Sequence, residues 1–381
     1  MLGVLFFLHF LAVHAQLSKN HSCITPDRHL GSCVKVSFCK PMLDLLDTVP
    51  QPFTESIRAR LKAYQCGFSR KAATICCPAT PIVLDDLEVP SRLPDVSRLP
   101  DVSNHRNINL LPKNCGHLDP VDKLVNDNKT GLFEFPWMAL LSYQTGAGLR
   151  FECGGTIIND KHVLTAAHCV THIPHTLVGV RVGEHDIRTT TDCVEEGGEE
   201  VCAPPFQDLT IEKVTFHPEF DPTLHTNDIA VIRVSPINLS LENSRPICLP
   251  LAQTRDFIFT NKKVVVTGWG YTETGRPSPD LLQVELPIVP LEECKVIYKN
   301  LPTPITLNDN QICAGGKSSS DFCGGNGGGP LHALGLLFGE VRRVQQGIVS
   351  FGPTRCGEEP IPAVYTRVAA YMDWVLDNIA P

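Results

Sequence analysis

Three short stretches decide the fold of this chain: Thr165-Ala-Ala-His-Cys169, Asn227-Asp-Ile-Ala230 and Asp321-Phe-Cys-Gly-Gly-Asn-Gly-Gly-Gly-Pro330. The segments around them look like β-structure, since apolar residues alternate in Leu177-Val-Gly-Val-Arg-Val182 and form short runs in Ile229-Ala-Val-Ile232 and Lys263-Val-Val-Val266. The C-terminus differs, with apolar residues at helical spacing: Val368, Met372, Val375, Leu376 and Ile379. From Cys115 onward, the sequence therefore predicts an all-β domain closed by one amphipathic helix.

The composition is that of a folded protein. Of 381 residues, 43% are hydrophobic and 19% are charged, which excludes wholesale disorder, and this length suggests two or three domains. A formal net charge of −8 without a basic block excludes a nucleic-acid binder. Sixteen cysteines, an even number, indicate an oxidised, disulfide-bonded protein.

The N-terminus predicts secretion. Leu2 to Val13 is a short apolar run followed by the small-residue site Val13-His14-Ala15, so residues 1–15 are interpreted as a signal peptide. No Lys or Arg precedes the run, which departs from the usual pattern. No other stretch approaches 18 apolar residues, so we expect a secreted, extracellular protein without membrane insertion.

Cysteines and prolines divide the rest of the chain. Residues 22–78 form a module with six cysteines, which is too small for a large core, so three disulfides are expected to hold it. Zinc is disfavoured there, because the module has no Cys-x-x-Cys pair. Residues 79–114 are rich in proline, lack cysteine and repeat Ser91-Arg-Leu-Pro-Asp-Val96 as Ser97-Arg-Leu-Pro-Asp-Val102, which predicts an extended linker.

The three blocks occur in the order found in the chymotrypsin-like serine proteases (peptidase S1), which residues 124–381 resemble. Four further motifs match: Phe135-Pro-Trp137, Cys153-Gly-Gly155, Thr267-Gly-Trp-Gly270 and Val364-Tyr-Thr-Arg367. This resemblance implies a double β-barrel with a C-terminal helix. Residues 22–78 then resemble the clip domain that precedes such proteases in arthropod haemolymph. Residues 115–123 would be the end of the light chain and the activation site.

The resemblance also implies a disulfide set that uses all sixteen cysteines. The expected pairs are Cys23–Cys76, Cys33–Cys66, Cys39–Cys77, Cys115–Cys248, Cys153–Cys169, Cys193–Cys202, Cys294–Cys313 and Cys323–Cys356. Cys115–Cys248 would tether the light chain after cleavage, and Cys193–Cys202 would close an extra surface loop.

By resemblance, His168 is the general base and Asp228 the carboxylate that orients it. The family's nucleophile block reads Gly-Asp-Ser-Gly-Gly-Pro, but this chain has Gly325-Asn-Gly-Gly-Gly-Pro330, so Gly327 stands in the serine position. Because glycine has no hydroxyl, no acyl-enzyme can form there. The three serines at 318–320 are out of register and are not expected to replace it.

The activation machinery departs as well. The family's aspartate before the serine pairs with a new N-terminal ammonium, whereas Asn326 carries no charge, so the activated rearrangement is expected to be weak. The cleavage site is assigned to Lys123 and Leu124, where Asn126 and Asp127 replace two glycines of the usual motif. Cleavage after Lys123 is expected, but the activated rearrangement that normally follows it is not.

The remains of a specificity pocket are assigned to three residues. Asp321 matches the selector for Lys or Arg, while Phe322 and Ala363 replace smaller residues and should narrow the slot. Phe322 pointing into the core is the alternative.

No cofactor is expected, except for a calcium ion that the loop starting at Glu184 holds in related proteases; a solvated acidic loop is an equal alternative. Candidate glycosylation sites are Asn20, Asn128 and Asn238.

The leading hypothesis is a non-catalytic clip-domain serine protease homologue that acts as an adaptor in an extracellular cascade. The resemblance implies innate immunity, through prophenoloxidase activation and melanization or Toll-type signalling. The expected partners are active clip-domain proteases and prophenoloxidase-type or cytokine-precursor substrates, with oligomer formation after cleavage. The alternatives are an active trypsin-like endopeptidase of the same cascade and a decoy that restrains it.

Overall fold

The computed structural model describes residues 22–25, 30–48, 61–69, 72–78, 99–118, 129–196, 198–251, 263–270, 277–316, 327–353 and 361–379. The chain divides into two units, residues 1–93 and residues 94–381.

The first unit contains a four-stranded antiparallel sheet in the order β1-β2-β4-β3. Its elements are β1 (Ser22–Ile24), β2 (Leu30–Lys35), α1 (Lys40–Thr48), β3 (Gln65–Ser69) and β4 (Ala72–Pro78). Its apolar core is small and centres on Met42, Tyr64 and Ile75. Three disulfides supplement it, Cys23–Cys76, Cys33–Cys66 and Cys39–Cys77, and these are the pairs that the resemblance implies.

The second unit begins with a seven-stranded sheet in the order β11-β8-β5-β6-β7-β13-β12. The strands are β5 (Met138–Thr145), β6 (Gly148–Ile157), β7 (His162–Thr165), β8 (Thr176–Val182), β11 (Gln207–Leu209), β12 (Ile211–Phe216) and β13 (Ala230–Val234). The two edge strands, β11 and β12, are separated in the chain by Thr210 alone. The sheet therefore curls until its edges meet, although they do not pair.

The second sheet of this unit is a closed barrel in the order β14-β15-β16-β19-β18-β17. It comprises β14 (Lys263–Gly268), β15 (Leu282–Val289), β16 (Gln311–Ala314), β17 (Pro330–Leu337), β18 (Glu340–Phe351) and β19 (Ala363–Arg367). Helix α2 (Leu291–Lys299) follows β15, and helix α3 (Met372–Asn378) ends the described chain. The predicted all-β double barrel with a C-terminal helix and a small disulfide-rich domain is confirmed.

The C-terminal helix closes the first barrel. The five residues at helical spacing, Val368, Met372, Val375, Leu376 and Ile379, are all buried in the apolar cluster that the seven-stranded sheet forms. The α-helix itself is shorter than this pattern suggests, because Val368–Tyr371 is a 3₁₀ helix and Ile379 lies beyond the last turn. Burial rather than helical geometry explains these positions.

The predicted linker is corrected at its C-terminal end. Residues 99–114 belong to the second unit, where Leu99 and Val102 are buried. The side-chain amide of Asn107 donates to the carbonyl oxygens of Leu376 (2.8 Å) and Ile379 (3.2 Å). These contacts use single residues without periodicity, so the composition of the segment did not predict them. Residues 79–98 lie outside the described chain.

A separate hairpin projects between β8 and β11. Strands β9 (Cys193–Glu196) and β10 (Glu199–Cys202) pair antiparallel, and a disulfide joins Cys193 to Cys202 at the base of the hairpin. This is the extra surface loop implied by the resemblance. None of the helices in the described ranges is long and apolar enough to cross a membrane.

One buried histidine of the fold predicts a pH dependence of stability. His162, the first residue of β7, donates from Nδ1 to Oδ1 of Asn159 (2.9 Å), while its Nε2 is buried and has no hydrogen-bond partner among the described residues. Burial, followed by the charge of Arg233, lowers the pKa of His162 to about 4. The unfolded state therefore takes up the proton first as the pH falls, so stability is lost between the ordinary pKa of 6.5 and about 4.

We expect the His162→Gln variant to lose about 3 kcal/mol less stability than the native chain over that interval. Glutamine keeps a donor for Asn159 and does not titrate. Denaturant titrations at pH 7 and pH 4.5, followed by tryptophan fluorescence, measure the difference. The matched control is His175→Gln, because His175 is partly exposed and faces Glu152. Parallel pH profiles for native chain and His162→Gln would contradict the prediction.

Candidate active site

A histidine and a buried carboxylate meet at the junction of the two barrels. His168 lies in a 3₁₀ helix, Ala167–Cys169, directly after β7, and Asp228 precedes β13. The carboxylate of Asp228 accepts from both the backbone N–H (2.9 Å) and the ring Nδ1 (2.8 Å) of His168. This double contact fixes the orientation of the imidazole. The structure thus brings together two of the three predicted triad positions in the geometry of an oriented base.

Two residues of the second barrel hold Asp228 from the other side. The hydroxyl of Ser350, in β18, donates to Oδ2 of Asp228, and the hydroxyl of Thr366, in β19, donates to its carbonyl oxygen (2.8 Å). Sequence reasoning missed both residues. The segment Ile348-Val-Ser-Phe-Gly352 could have indicated Ser350, because a small polar residue interrupts a strongly apolar strand. Asp228 is therefore bound to elements of both barrels.

The pKa of the Asp228 carboxyl is lowered although the residue is fully buried. Burial alone acts to raise its pKa, but the hydrogen bonds and charge of His168 and the hydrogen bond from Ser350 outweigh this, so the pKa lies below its ordinary value. The ring of His225 lies nearby, 6.3 Å from that of His168 between centroids. Burial is the main cause that lowers the pKa of His225.

At the serine position the structure has Gly327, whose missing side chain leaves a space that His168 fills. A Cβ placed on Gly327 would overlap Nε2 of His168 and lie 3.1 Å from its Cε1. Within the described chain, this Nε2 lies 3.4 Å from Sγ of Cys169. That sulfur is part of the Cys153–Cys169 disulfide and has no proton to donate. The arrangement can orient a base, but none of the residues that the structure describes places a hydroxyl at Nε2.

Backbone hydrogen bonds hold Gly327 and Gly328 in place. The carbonyl oxygen of Gly327 accepts from the N–H of Gly154 (2.9 Å), and the N–H of Gly328 donates to Val349 (2.9 Å). These bonds tie the glycine block to β6 and β18. The block is therefore seated between the barrels, and the departure lies in its side chains.

Several predicted site residues lie outside the described chain: Lys123, Leu124, Asp321, Phe322, Asn326, Asn20, Asn128, and the pair Cys323–Cys356. Of the pocket residues, Ala363 is placed at the start of β19, and its Cβ would lie 3.1 Å from a Cβ on Gly352. Ala363 therefore packs against Gly352, which directly follows β18. Asn238 is exposed, as a glycosylation site requires.

Cys115 and Gly116 are fixed to the rest of the second unit. Cys115 is bonded to Cys248, and Cys153–Cys169 and Cys294–Cys313 also form as the resemblance implies. Backbone bonds reinforce this link, because Gly116 donates to the carbonyl of Pro246 (2.9 Å) and accepts from the N–H of Arg343 (2.8 Å). These two residues are thus held both covalently and by hydrogen bonds.

The contacts of Glu184 do not fit a calcium site. Its Oε2 accepts from Arg181 (3.1 Å), and its Oε1 accepts from the backbone N–H of His185 (3.0 Å). A guanidinium beside a carboxylate repels a second cation. Among the described residues, no group of side chains that could hold a metal includes Glu184. Calcium at this loop stays a prediction without geometric support.

Comparisons with known proteins agree with this architecture. A family model described as trypsin matches residues 125–375, and one described as the regulatory CLIP domain of proteinases matches residues 23–77. Phenoloxidase-activating factor 3 of Holotrichia diomphalia is 36% identical and covers 95% of each chain. Melanization protease 1 of Drosophila melanogaster is 36% identical over 94% of this chain and 92% of its own.

A solved structure supports the same assignment. The crystal structure of the Drosophila Grass clip serine protease of the Toll pathway superposes with a TM-score of 0.62 at 30% identity. It covers 94% of this chain and 97% of its own length. With its trypsin-like double barrel and its N-terminal disulfide-rich module, the chain belongs to the clip-domain serine protease family.

Proposed function

We propose that this chain is a secreted, non-catalytic member of the family that works by binding, as an adaptor or cofactor for active clip-domain proteases. The observation that carries the proposal is Gly327. The family's chemistry needs a hydroxyl at this position, and here the Nε2 of His168 occupies the space that a side chain would take. Donor groups and an oriented base without a nucleophile cannot sustain ordinary turnover.

The composition of the remaining site supports a binding role. Much of a protease site is kept although the nucleophile is missing. The features that remain are the His168–Asp228 hydrogen bond, the backbone bonds of Gly327 and Gly328, and the Cys115–Cys248 disulfide. Asn326 in place of an aspartate and Phe322 and Ala363 in the pocket point in the same direction. A partner that recognises the protease shape would still find it.

The pathway is inferred from relatives. Those named above are called a phenoloxidase-activating factor, a melanization protease and a protease of the Toll pathway. We extend this to an extracellular immune cascade, with active clip-domain proteases and prophenoloxidase-type or cytokine-precursor substrates as partners. The apolar N-terminal run and the disulfides support secretion into a haemolymph-like fluid.

The first test uses purified chain cut after Lys123. A serine-directed covalent probe and peptide amides of Lys and Arg are applied to the native chain, to Gly327→Ser and to an active clip protease as a positive control. We expect neither labelling nor turnover by the native chain. Activity of the native chain that persists after contaminating proteases have been removed would overturn the proposal and favour an active endopeptidase.

The second test separates an adaptor from a decoy. The cut native chain is titrated into a reconstituted cascade of an active clip protease and its prophenoloxidase-type substrate. An adaptor raises the rate of product formation with increasing dose, whereas a decoy lowers it by sequestering enzyme or substrate. Inhibition at every dose would replace the adaptor by the decoy, and a flat response would contradict both.

A further inference from the structure

A groove of about 340 Å³ lies beside the Cys115–Cys248 disulfide. The disulfide and Leu337 line it and are buried. The other walls come from the segment before Cys115, the segment around Cys248 and the tip of the β17–β18 hairpin, with Ile108, Leu111, Leu249 and Phe338. Small-molecule sites have volumes of about 300–1,000 Å³ and mostly apolar linings, so the groove has the size and character of a ligand site.

Phe338 lines this groove in a conformation that its residue type disfavours. It is the first residue of the two-residue turn between β17 and β18, since Leu337 pairs with Glu340. Phe338 has a φ of +54° and Gly339 a φ of +79°, the pattern of a type I′ turn, which favours Asn-Gly. The side chain gains little burial in return, because Phe338 is 47% exposed. Strain of this kind points to a role for the aromatic ring, and its place on the groove supplies one.

The charges beside the groove are mainly positive. Lys113 lines it with an exposed side chain. Burial, followed by the charges of Arg342 and Arg245, lowers the pKa of His117, which lies just after the disulfide. The acid that acts on His117, Glu340, is itself paired with Arg342. The groove therefore favours an anionic ligand, although the whole chain has a formal net charge of −8.

We propose that this groove binds a free fatty acid, with its alkyl chain against Ile108, Leu111 and Phe338 and its carboxylate beside Lys113. Among the described lining residues, only Asn109 and Lys113 have polar side chains. A hydrocarbon chain suits such a lining better than an extended peptide, because peptide groups buried without hydrogen-bond partners are costly. The exposed ammonium of Lys113 complements a carboxylate that stays at the surface.

This inference goes beyond the adaptor function and does not depend on it. A bound acid would contact the segment before Cys115 and the tip of the β17–β18 hairpin at the same time. It would bind whether the chain activates a cascade, restrains it or hydrolyses a substrate.

The test is a calorimetric titration of sodium dodecanoate into the full chain, freed of lipid and kept below the concentration at which the acid forms micelles. We expect one molecule per chain. In the series dodecanoate, decanoate and octanoate, each loss of two methylene groups should weaken the affinity about tenfold, because less hydrocarbon is removed from water.

Two variants separate the alkyl chain from the carboxylate. Phe338→Asn removes the ring and supplies the residue that the turn favours, so its unfolding temperature should not fall while its affinity drops about fivefold or more. Lys113→Gln should weaken all three acids by the same factor, about threefold, and leave the dependence on chain length intact. The matched controls, Leu149→Asn and Lys213→Gln, alter an exposed apolar residue and an exposed lysine outside the groove and should not change the affinity.

Three results would overturn the proposal. The first is the lack of saturable binding to the native chain below about 1 mM dodecanoate. The second is equal affinity of Phe338→Asn and Leu149→Asn. The third is an affinity that depends on Phe338 but is the same in Lys113→Gln and Lys213→Gln, which would indicate a neutral lipid or an apolar segment of a partner protein instead. Because Lys113 is exposed, its variant tests the proposal even if Phe338→Asn does not fold.

Discussion

Replacing Gly328 with alanine should destabilise the protease-like domain by roughly 4 kcal/mol. Gly328 has a φ of +80°, which an L-residue adopts only with strain. An added Cβ would overlap Oγ1 of Thr165 and lie 2.5 Å from the carbonyl oxygen of Gly154. The second of these atoms belongs to the backbone of β6 and cannot rotate away.

The matched control is Gly146→Ala. Gly146 lies in the exposed turn between β5 and β6, and an added Cβ meets no atom within 4 Å, so its effect should stay within about 0.5 kcal/mol. Denaturant unfolding followed by tryptophan fluorescence reports this domain alone, because the three tryptophans, Trp137, Trp269 and Trp374, all lie in it. Equal midpoints for Gly328→Ala and Gly146→Ala would refute the steric argument.

The second large effect concerns chemistry. Gly327→Ser should convert a chain that a serine-directed probe does not label into one that it does. The new Cβ would overlap Nε2 of His168, so the ring must turn outward, and this places Nε2 within reach of the new hydroxyl. Asp228 would still accept from the backbone N–H of His168, so its carboxylate stays beside the turned ring as an acceptor for Nδ1.

Three further variants make this result specific. Gly327→Ala introduces the same Cβ without a hydroxyl and should remain unlabelled. Adding Asp228→Asn to Gly327→Ser should lower the labelling rate about 10⁴-fold, because the histidine loses its orienting carboxylate. Adding Asn326→Asp instead should raise the rate in the cut chain, since it restores a partner for the new N-terminal ammonium. If the serine-directed probe did not label Gly327→Ser/Asn326→Asp, the His168–Asp228 pair would not be poised for catalysis.

The sequence predicted the fold well because the information was local. Short β-branched runs and the C-terminal apolar pattern correspond to β13, β14 and the helix that closes the first barrel. His168 and Asp228 were assigned by motif, and the structure brings them together. Gly327 was assigned by register within a conspicuous block.

What the sequence did not predict depends on distant contacts. Asn107 binds the C-terminal helix through a side-chain amide, which no periodicity reveals. Ser350 and Thr366 reach Asp228 only because two strands of the second barrel end beside it. His225 joins the site through a turn with left-handed backbone at His225 and Asn227, neither of which is glycine. Residue type gave no warning of that conformation.

The hydrogen bonds of Asp228 also determine which substitutions at the site the fold can tolerate. Its carboxylate accepts hydrogen bonds from His168 of one barrel and from Ser350 of the other, so it links the two halves of the domain. The absence of a side chain at Gly327 leaves no gap, since His168 fills the space. Loss of the Asp228 carboxylate would remove the acceptor of three donors, the N–H and Nδ1 of His168 and the hydroxyl of Ser350, and would weaken the contact between the two barrels. The fold of this domain therefore accommodates glycine at position 327, whereas it depends on the aspartate at position 228.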